Sequence, residues 1–332
     1  MDPLEKVSIG TQGVEVTQLG LGGAFLSGTG LGDTTSDEAG RIIRRALELG
    51  INYFDTAPLY GAGISEVRYG AALKEFDRAS FVISTKVGRV LEPVEGGRTA
   101  EESPDNFAEH YSVDTWTRDN VLRSIEESLE RLQTDHVEIV LIHDPDWAPH
   151  GEREALDEGF PTLIELREQG VIKAIGCGMN EWQMPARFIR LFDIDAVLLA
   201  GRYTLLDHDA YDEFLPLCVE RDVKIIIGGP YNSGILARDL GGTVTFDYEI
   251  APQHLVDQAR RLDAVCRRHG VDLKAAALQF VLAHPAVATA VPGAQSVPEL
   301  EQNFKMVGQE IPGDVWAEMK AEKLIPADAP TP

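Results

Sequence analysis

Asn52-Tyr-Phe-Asp-Thr-Ala-Pro-Leu-Tyr-Gly61 is a short apolar segment that ends in a carboxylate, Asp55, and is followed five residues later by a phenol, Tyr60. Two later apolar runs, Phe81–Lys86 and Val137–His143, also end in an ionisable residue. Such side chains at the ends of buried strands are costly unless they meet partners. In a parallel α/β barrel the carboxyl ends of all strands open onto one face, which carries the chemistry. The pattern therefore predicts a barrel that gathers these side chains on one face.

A tyrosine beside a lysine is a candidate for proton transfer, because a nearby cation favours the phenolate. We expect Lys86 to lower the pKa of Tyr60 towards neutrality, and Asp55 to hold the lysine and balance its charge. We expect His143 to orient the substrate oxygen by a hydrogen bond. Each residue alone has an ordinary explanation as a cap, a loop aromatic, a surface charge or a core histidine. Their order and spacing together favour a catalytic group.

Length and composition are those of a globular protein. The chain has 332 residues, of which 44% are hydrophobic and 25% charged, and we expect 1–332 to form a single barrel domain. Its formal net charge of −24 disfavours nucleic acid and anionic membranes as partners, because both bind through lysine and arginine. A small-molecule substrate is the expected partner.

Apolar periodicity predicts eight strands that alternate with helices, from a first strand at Gln18–Gly22 to an eighth at Val287–Val291. The fifth strand is expected at Val171–Gly176. Strict alternation with right-handed crossovers implies a closed (β/α)8 TIM barrel. An N-terminal β-hairpin, Val7–Ile9 with Val14–Thr17, is expected to cap its bottom.

Two connections are too long for ordinary loops of a compact domain. The segments Gly88–Asp114 and Asp144–Gly159 show no periodicity, and both leave the C-terminal face beside the ionisable group. Their aromatic side chains either form a substrate wall together with Tyr60 and His143 or only anchor the loops to the barrel; the wall is favoured for the two tryptophans, and both alternatives stay open for His110 and Tyr111. These side chains are His110, Tyr111, Trp116 and Trp147.

The sequence also predicts a cytoplasmic, reduced protein. No positively charged start followed by an apolar segment occurs in 1–23, which speaks against a signal peptide. The longest apolar stretch, Ala275–Ala294, is interrupted by polar residues and a proline, which argues against a membrane span. The three cysteines match no zinc or disulfide framework and are expected to be buried thiols: Cys177, Cys218 and Cys266.

Asp55, Tyr60, Lys86 and His143, within Phe-Asp-Thr-Ala-Pro-Leu-Tyr-Gly, Ser-Thr-Lys and Leu-Ile-His, resemble the catalytic tetrad of the aldo-keto reductases. The similarity runs from about Leu19 to Asn303. It implies a nicotinamide dinucleotide, NAD or NADP, bound extended across the barrel top. In oxidation the Tyr60 phenolate would accept the hydroxyl proton as hydride leaves carbon.

The resemblance also implies two Gly-rich phosphate-binding loops after strands seven and eight, at Gly228–Leu236 and Pro292–Glu299. The sequence departs from the family at Gly178 and Met179, where a Ser-Asn pair grips the carboxamide, and at Ala200 and Gly228. The implied cofactor-binding residues are Gly22, Asp55, Asn180, Arg202, Gly229, Pro230, Tyr231, Ser233, Gly234, Leu236, Pro292, Gly293, Ala294, Gln295, Glu299, Gln302 and Asn303.

Three further segments narrow the resemblance: Gly176–Trp182, Ala200–Leu206 and Leu141–Asp146. They look like the branch that contains L-fucose and D-threo-aldose 1-dehydrogenases and pyridoxal 4-dehydrogenase. Members of that branch oxidise cyclic hemiacetals to lactones. An NAD-dependent oxidation of an aldose such as L-fucose, or of pyridoxal, is therefore the expected function.

Three other functions have some support in the sequence. The same barrel could be an NADPH-dependent aldehyde or ketone reductase, or a dinucleotide-binding, redox-sensing regulatory module. A metal hydrolase would draw on His143, Asp144, Asp146 and His150. Barrel metallohydrolases place their ligands at the ends of several strands, and no His-x-His stands on strand one, so no metal is expected.

A preference for NAD over NADP is expected from the loop after strand eight. Where NADP-using relatives carry cations, this chain has Gly293 and Glu299. A carboxylate repels a 2′-phosphate but can accept a hydrogen bond from a free 2′-hydroxyl. The alternative is that Glu299 belongs to a capping box and reaches back to the amide of Ser296 without touching cofactor.

Overall fold

The computed structural model describes residues 1–28, 34–100, 102 and 110–332, and of Tyr111 only the backbone. The strands in chain order are β1 (Lys6–Ile9), β2 (Val14–Thr17), β3 (Leu21–Gly22), β4 (Tyr53–Asp55), β5 (Val82–Val87), β6 (Arg89–Pro93), β7 (His110–Asp114), β8 (Ile139–His143), β9 (Ala174–Met179), β10 (Ala196–Ala200), β11 (Lys224–Gly228), β12 (Thr245–Phe246), β13 (Glu249–Ile250) and β14 (Val287–Val291). The helices are α1 (Ser36–Glu48), α2 (Ile64–Leu73), α3 (Arg118–Leu132), α4 (Gly151–Glu154), α5 (Phe160–Glu168), α6 (Gln183–Leu191), α7 (Phe214–Glu220), α8 (Gln253–Arg268), α9 (Leu273–Leu282), α10 (Val297–Gly308) and α11 (Gly313–Ala321).

Eight of the strands form one parallel sheet in the order β3, β4, β5, β8, β9, β10, β11, β14. The ends of this sheet meet through a parallel bridge between Leu19 and Ala290. The amide of Gly20 donates to the Ala290 carbonyl at 2.9 Å, and the Ala290 amide donates to the Gln18 carbonyl at 3.0 Å. The predicted (β/α)8 barrel is confirmed.

The hairpin β1–β2 packs on the amino-terminal end of the barrel. Ile9, Val14 and Val16 are buried in the same cluster as strand residues that line the barrel interior, among them Ile139 and Leu141. The opposite, carboxyl end is thereby left as the open face. The hairpin lies where the sequence predicted it.

Helices cover the outside of the sheet with their apolar faces. In α3, Val121, Ile125 and Leu132 are buried at helical spacing, as predicted. Arg131, expected to face water, is instead buried and pairs with Glu66 of α2 at 2.7 Å. In α1 the side chain of Thr35 accepts a hydrogen bond from the Glu38 amide and caps the helix. The core therefore has two layers, one inside the barrel and one between the strands and the helices.

Both segments expected to be irregular contain regular structure. Within 88–114, β6 and β7 pair as an antiparallel hairpin from Arg89–Asp114 to Pro93–His110. Within 144–159, a 3-10 turn at Pro145–Trp147 and α4 lead through a π turn into α5. The hairpin was missed because its strands are separated by a long insertion, so that no local turn signal announces their pairing.

Other boundaries also moved. The fifth barrel strand is β9, which starts three residues later than predicted, because Val171 is half exposed and the Ile175 amide bonds to Asp195 at 2.8 Å. Helix α11 and the hairpin β12–β13 were not predicted at all. Cys177, Cys218 and Cys266 are free and buried, as expected. Within the described ranges, no helix is both long and apolar enough to cross a bilayer.

Candidate active site

An ion pair between Asp55 and Lys86 lies at the centre of the open face. The Lys86 Nζ donates to both oxygens of Asp55, at 2.9 and 2.8 Å, and to the carbonyl of Thr56 at 2.8 Å. Both side chains are almost completely buried, with relative exposures of 1% and 3%. All three ammonium protons are thus used inside the protein. The expected contact between Asp55 and the lysine is therefore present.

The position of this pair follows from the alternation of strand residues. Side chains two residues apart point to the same side of a strand, so that Tyr53 and Asp55 on β4 and Ser84 and Lys86 on β5 all face the barrel interior. The Ser84 hydroxyl donates to Asp55 at 2.7 Å and lies 2.8 Å from the Tyr53 hydroxyl. On β9, a Cβ at Gly178 would lie only 3.2 Å from Lys86 Cε. Where the family carries a serine, this chain has Gly178, and the Lys86 side chain occupies the space that a serine side chain would need.

Tyr60 lies beside this pair, but its phenol is not activated as the sequence suggested. The Lys86 Nζ lies 4.7 Å from the centroid of the Tyr60 ring. Burial, followed by the negative charges of Asp55 and Asp144, raises the pKa of the phenol well above its ordinary value of 10. The expected shift towards neutrality is wrong for this state, because the lysine protons point at Asp55 and the backbone. Tyr60 stands in the site as a protonated acid.

His143 is buried and neutral. Its ring meets that of Tyr60 edge to face, with centroids 5.9 Å apart and an interplanar angle of 89°. Burial, followed by the positive charges of Lys86 and Arg89, lowers the pKa of the imidazole well below 6.5. Its buried Nδ1 has no hydrogen-bond partner among the described residues. A neutral imidazole beside the phenol can donate one hydrogen bond to a substrate oxygen.

Asp144, the next residue, was weighed in the sequence only as a metal ligand. It is 8% exposed and has a left-handed backbone with φ of 40°. Its Oδ2 lies 3.5 Å from His143 Nε2 and 3.7 Å from Arg89 Nη2. Burial raises its pKa from 3.8 to about 7, although Arg89 opposes this shift. A carboxyl group that titrates near neutrality therefore borders the tetrad.

The aromatic residues of the two long segments have different surroundings. Trp116 is fully buried and donates from Nε1 to the His143 carbonyl at 3.2 Å, so the prediction that it lines the pocket is wrong. Trp147 is 66% exposed and stacks under the Arg89 guanidinium, whose carbon lies 5.1 Å from the ring centroid. His110 lies opposite Pro93 at the outer end of the hairpin β6–β7. The side chain of Tyr111 lies outside the described residues.

The two predicted phosphate loops lie side by side. The Tyr231 hydroxyl donates to Asn303 Oδ1 at 2.9 Å, which joins the loop after β11 to α10. Asn232 is held from below by Thr204 Oγ1 and by the Gly201 carbonyl, at 3.0 Å from its Nδ2. Successive residues at positive φ form concave backbone sites suited to anions. Those in this loop are Gly229, Asn232, Ser233 and Gly234, with φ of 55°, 45°, 55° and 98°.

Arg202 and Asn180 are neighbours, as predicted, but the guanidinium is engaged. Its Nε donates to the Asn180 carbonyl at 2.8 Å and its Nη2 to Asp247 at 2.9 Å, on the hairpin β12–β13. The tip of that hairpin carries Tyr248, a residue that the sequence gave no reason to select. Its amide donates to Ser233 Oγ at 3.0 Å, which places the turn against the loop after β11.

The amino-terminal end of α10 is surrounded by carboxylates. Glu299 accepts a hydrogen bond from the Gln295 amide at 2.8 Å, and its own amide lies 3.4 Å from the Ser296 hydroxyl. Glu38 on α1 accepts from the Val297 amide at 3.3 Å. Half of the alternative capping box is therefore present, since the Ser296 hydroxyl accepts from the Glu299 amide. The Glu299 carboxylate binds the amide of Gln295, where the capping box would have it bind that of Ser296.

The other cofactor-binding residues of the sequence analysis lie around these loops. A Cβ at Gly293 would lie 2.2 Å from the ring of Phe25, which covers the position where NADP-using relatives carry a lysine. The Gln302 side chain accepts from Lys274 at 2.8 Å. Gly22 donates to the Pro292 carbonyl at 3.3 Å. Leu236 and Ala294 are buried, and Pro230 is buried beside Gly229.

Among the described residues, no three histidine, cysteine or acidic side chains group as metal ligands. His150 Nε2 is 3.0 Å from the Asp114 carbonyl, and Asp146 is exposed. The residues considered for a metal hydrolase therefore do not converge on one point in this structure.

Comparisons with known proteins agree with this geometry. The sequence profile of the Aldo/keto reductase family matches residues 18–323. The chain is 38% identical to pyridoxal 4-dehydrogenase of Microbacterium luteolum, over 97% of this chain and 98% of that protein. It is also 38% identical to D-threo-aldose 1-dehydrogenase of a Pseudomonas species, over 95% and 96%. A holo aldo-keto reductase structure from Bacillus halodurans superposes with a TM-score of 0.75 at 27% identity, covering 98% of each chain.

We predict that replacing Tyr60 and replacing Lys86 both stop turnover but differ in their effect on stability. Tyr60→Phe removes one hydroxyl group and should lower turnover at least about a hundredfold, with dinucleotide affinity and the melting temperature (Tm) nearly unchanged. Lys86→Met should also stop turnover, but it leaves Asp55 buried without its cation and should lower the free energy of unfolding by about 3–5 kcal/mol. Steady-state kinetics, dinucleotide titration and urea unfolding measure the three quantities. A Tyr60→Phe enzyme with more than about a hundredth of the wild-type rate would contradict its role.

A second prediction concerns pH. Because the pKa of Asp144 is about 7 in the folded chain and 3.8 ordinarily, the folded state binds its proton more tightly, and this group lowers stability as pH rises through that interval. Asp144→Asn cannot ionise. Its Tm relative to wild type should therefore increase between about pH 4 and pH 7, by a difference in unfolding free energy of at most about 4 kcal/mol.

The matched control for this measurement is Asp157→Asn, a change at an exposed aspartate of the same segment between β8 and α5. Asp157 is not among the charges that act on Asp144, which are those of Arg89, Asp146, Lys86 and Asp114. A Tm difference for Asp144→Asn that stays constant with pH, like that of the control, would show that the carboxyl is solvated and contradict the prediction.

Proposed function

The chain belongs to the aldo/keto reductase family, and we propose that it oxidises the cyclic hemiacetal of an aldose or of pyridoxal to a lactone with NAD as oxidant. As a member of this family it is an NAD(P)-dependent oxidoreductase. The observation that carries the substrate class is the 38% identity, over almost the whole chain, to two dehydrogenases named for such substrates. The Asp55–Lys86–Tyr60–His143 group supplies the acid–base chemistry.

In the proposed reaction the substrate hydroxyl lies between Tyr60 and His143. His143, neutral and buried, donates a hydrogen bond to the substrate oxygen and orients it. Tyr60 in its phenolate form takes the hydroxyl proton while the carbon loses a hydride, so that C–OH becomes the C=O of the lactone. When bound, the oxidised dinucleotide supplies the hydride acceptor and a positive charge. Positive charge brought into the site favours the phenolate that the apo surroundings of Tyr60 disfavour.

One observation favours a second candidate, reduction of a simple aldehyde. The pKa of Tyr60 is raised, so the phenol is protonated over the physiological range and ready to donate a proton to a carbonyl oxygen. The same proton must be removed before oxidation can begin. We therefore expect the balance between the two directions to depend on pH, with oxidation favoured at higher pH.

The structure supports a preference for NAD through two features at the expected adenosine end. Glu299 and Glu38 both place carboxylate oxygens at the amino-terminal end of α10, and each accepts a backbone amide there. The hydrogen bond from Arg41 lowers the pKa of Glu38, which keeps it ionised. Phe25 covers Gly293, where a lysine would otherwise meet a 2′-phosphate. A carboxylate at about 5 Å from that phosphate would cost on the order of 1–3 kcal/mol.

We predict that a substrate panel separates the two candidates. Fucose and other aldoses, pyridoxal and plain benzaldehydes are each assayed in both directions. Oxidation of at least one hemiacetal should exceed benzaldehyde reduction in kcat/KM by at least about tenfold, a difference that polar contacts to substrate hydroxyls can supply. Activity confined to aromatic aldehyde reduction would favour the reductase. Dinucleotide binding without turnover of any substrate would favour a redox-sensing regulatory module.

We also predict a change of dinucleotide preference on reversing one charge. The wild type should bind NAD at least about tenfold more tightly than NADP, and Glu299→Arg should raise NADP affinity about tenfold. Fluorescence titration of each dinucleotide measures this without turnover. The matched control is Glu301→Arg on the same helix, where Glu301 instead pairs with Arg45 at 2.8 Å and NADP affinity should change less than about twofold. Tighter NADP binding by the wild type would refute the proposal.

A further inference from the structure

The hairpin β12–β13 holds an unusual turn over the open face. Asp247 and Tyr248 form its two-residue loop and both have positive φ, 53° and 66°. Such turns strongly favour asparagine and glycine at these positions, so a tyrosine here is strained. Strain of this kind persists only where the surroundings enforce it, and it is found most often at binding sites.

Three contacts hold the turn in place. Arg202 donates to the Asp247 carboxylate at 2.9 Å, and the Tyr248 amide donates to Ser233 Oγ at 3.0 Å. At the base of the hairpin, Thr245 Oγ1 donates to the Ser233 carbonyl at 2.7 Å. Two of these contacts fasten the hairpin to the loop after β11, which is the proposed phosphate loop, and the third fastens it to Arg202 after β10.

The Tyr248 side chain is 63% exposed although it belongs to a strained and fastened turn. The turn and Asp144 are linked through residues at the end of β9: Arg202, which holds Asp247, also donates to the Asn180 carbonyl at 2.8 Å, and the Asp144 amide donates to the Gly178 carbonyl two residues earlier. An aromatic residue fixed in this way and left open to solvent has no packing role. It is placed to contact a molecule that lies between it and the tetrad.

Asp144 borders the same space from the barrel side. Its backbone is also left-handed, its amide donates to the Gly178 carbonyl at 3.1 Å, and its carboxylate lies beside His143 Nε2. Only Arg89 approaches it as a cation, at 3.7 Å, which is longer than a hydrogen bond. The carboxylate therefore keeps acceptor capacity for a hydroxyl group of a bound molecule.

We propose that Asp144 and Tyr248 bind one hydroxyl group of the substrate other than the one that is oxidised, and so determine which hydroxylated hemiacetals are accepted. This inference rests on the proposed function and names the groups that select within its substrate class. A carboxylate accepts a hydrogen bond from the hydroxyl, and a phenol can donate to or accept from the same oxygen. Sites that hydrogen-bond a substrate hydroxyl discriminate strongly against analogues that lack it, because their own polar groups are then left unpaired.

The experiment compares Tyr248→Phe, Asp144→Asn and the double variant on matched substrates. The substrates are an aldopyranose that the wild type oxidises, the analogues of that sugar that each lack one hydroxyl group, and pyridoxal, which is not a sugar. On the parent sugar each single variant should lose about tenfold or more in kcat/KM, mainly through KM, while losing less than about threefold on one of the deoxy sugars. Because both residues hold one hydroxyl, the double variant should lose much less than the product of the two single losses.

Ile250→Ala, at an exposed position of the same hairpin, is the matched control and should change kcat/KM by less than about twofold on every substrate. Equal losses by Tyr248→Phe on the parent and on all deoxy sugars would overturn the inference and leave the hemiacetal oxidation intact. A wild type that oxidises no hemiacetal would overturn both. If the variants lost kcat/KM on pyridoxal alone, selection among sugars would be overturned, and the hydroxyl that Asp144 and Tyr248 bind would be that of the pyridine ring.

Discussion

The buried ion pair between Asp55 and Lys86 is the constraint from which the rest of the site follows. Two charges taken from water require nearly complete hydrogen bonding, and this pair has it: the lysine uses all three protons, and Asp55 also accepts from Ser84. Such an arrangement needs two neighbouring parallel strands with interior-facing side chains in register, and free space for the lysine stem. The register of Asp55 with Ser84 and the bare backbone of Gly178 supply these.

Because Lys86 directs its protons at Asp55 and at the backbone, it does not lower the pKa of the neighbouring Tyr60 phenol. The lysine lies over the ring of Tyr60, and the acidic groups around the phenol raise its pKa. The imidazole of His143 is kept neutral by burial and by the same lysine. The apo site is therefore set for a protonated phenol beside a neutral imidazole. A second positive charge, such as that of an oxidised dinucleotide, would be needed to release the phenol proton at neutral pH.

The sequence predicted the barrel and the tetrad because both depend on local signals. Each of the apolar runs that end in Asp55, Lys86 and His143 indicates a buried strand and also where that strand ends. The structure has strands at these three places, β4, β5 and β8. What it missed depends on non-local pairing. The hairpin β6–β7 joins residues separated by a long insertion. The Trp116 ring packs against the bare backbones of Gly88 and Gly151, a non-local fit that no local side-chain pattern encodes. Tyr248 could have been found only from its strained turn, which requires the backbone.

Several residues with left-handed backbone lie together in the loops above the tetrad, whereas others, such as Gln133 and Asp222, end helices elsewhere. The first group separates the scaffold from the adaptable part of the site. The tetrad stands on regular strands, whose geometry fixes the chemistry. Asp144, Ser233 and Tyr248 stand on left-handed backbone in the loops above it, and contacts such as Arg202–Asp247 hold these loops to one another. Such loops can change their side chains without disturbing the buried ion pair. Relatives with the same tetrad can therefore differ in substrate through the loop residues, and the acid–base chemistry remains a property of the barrel.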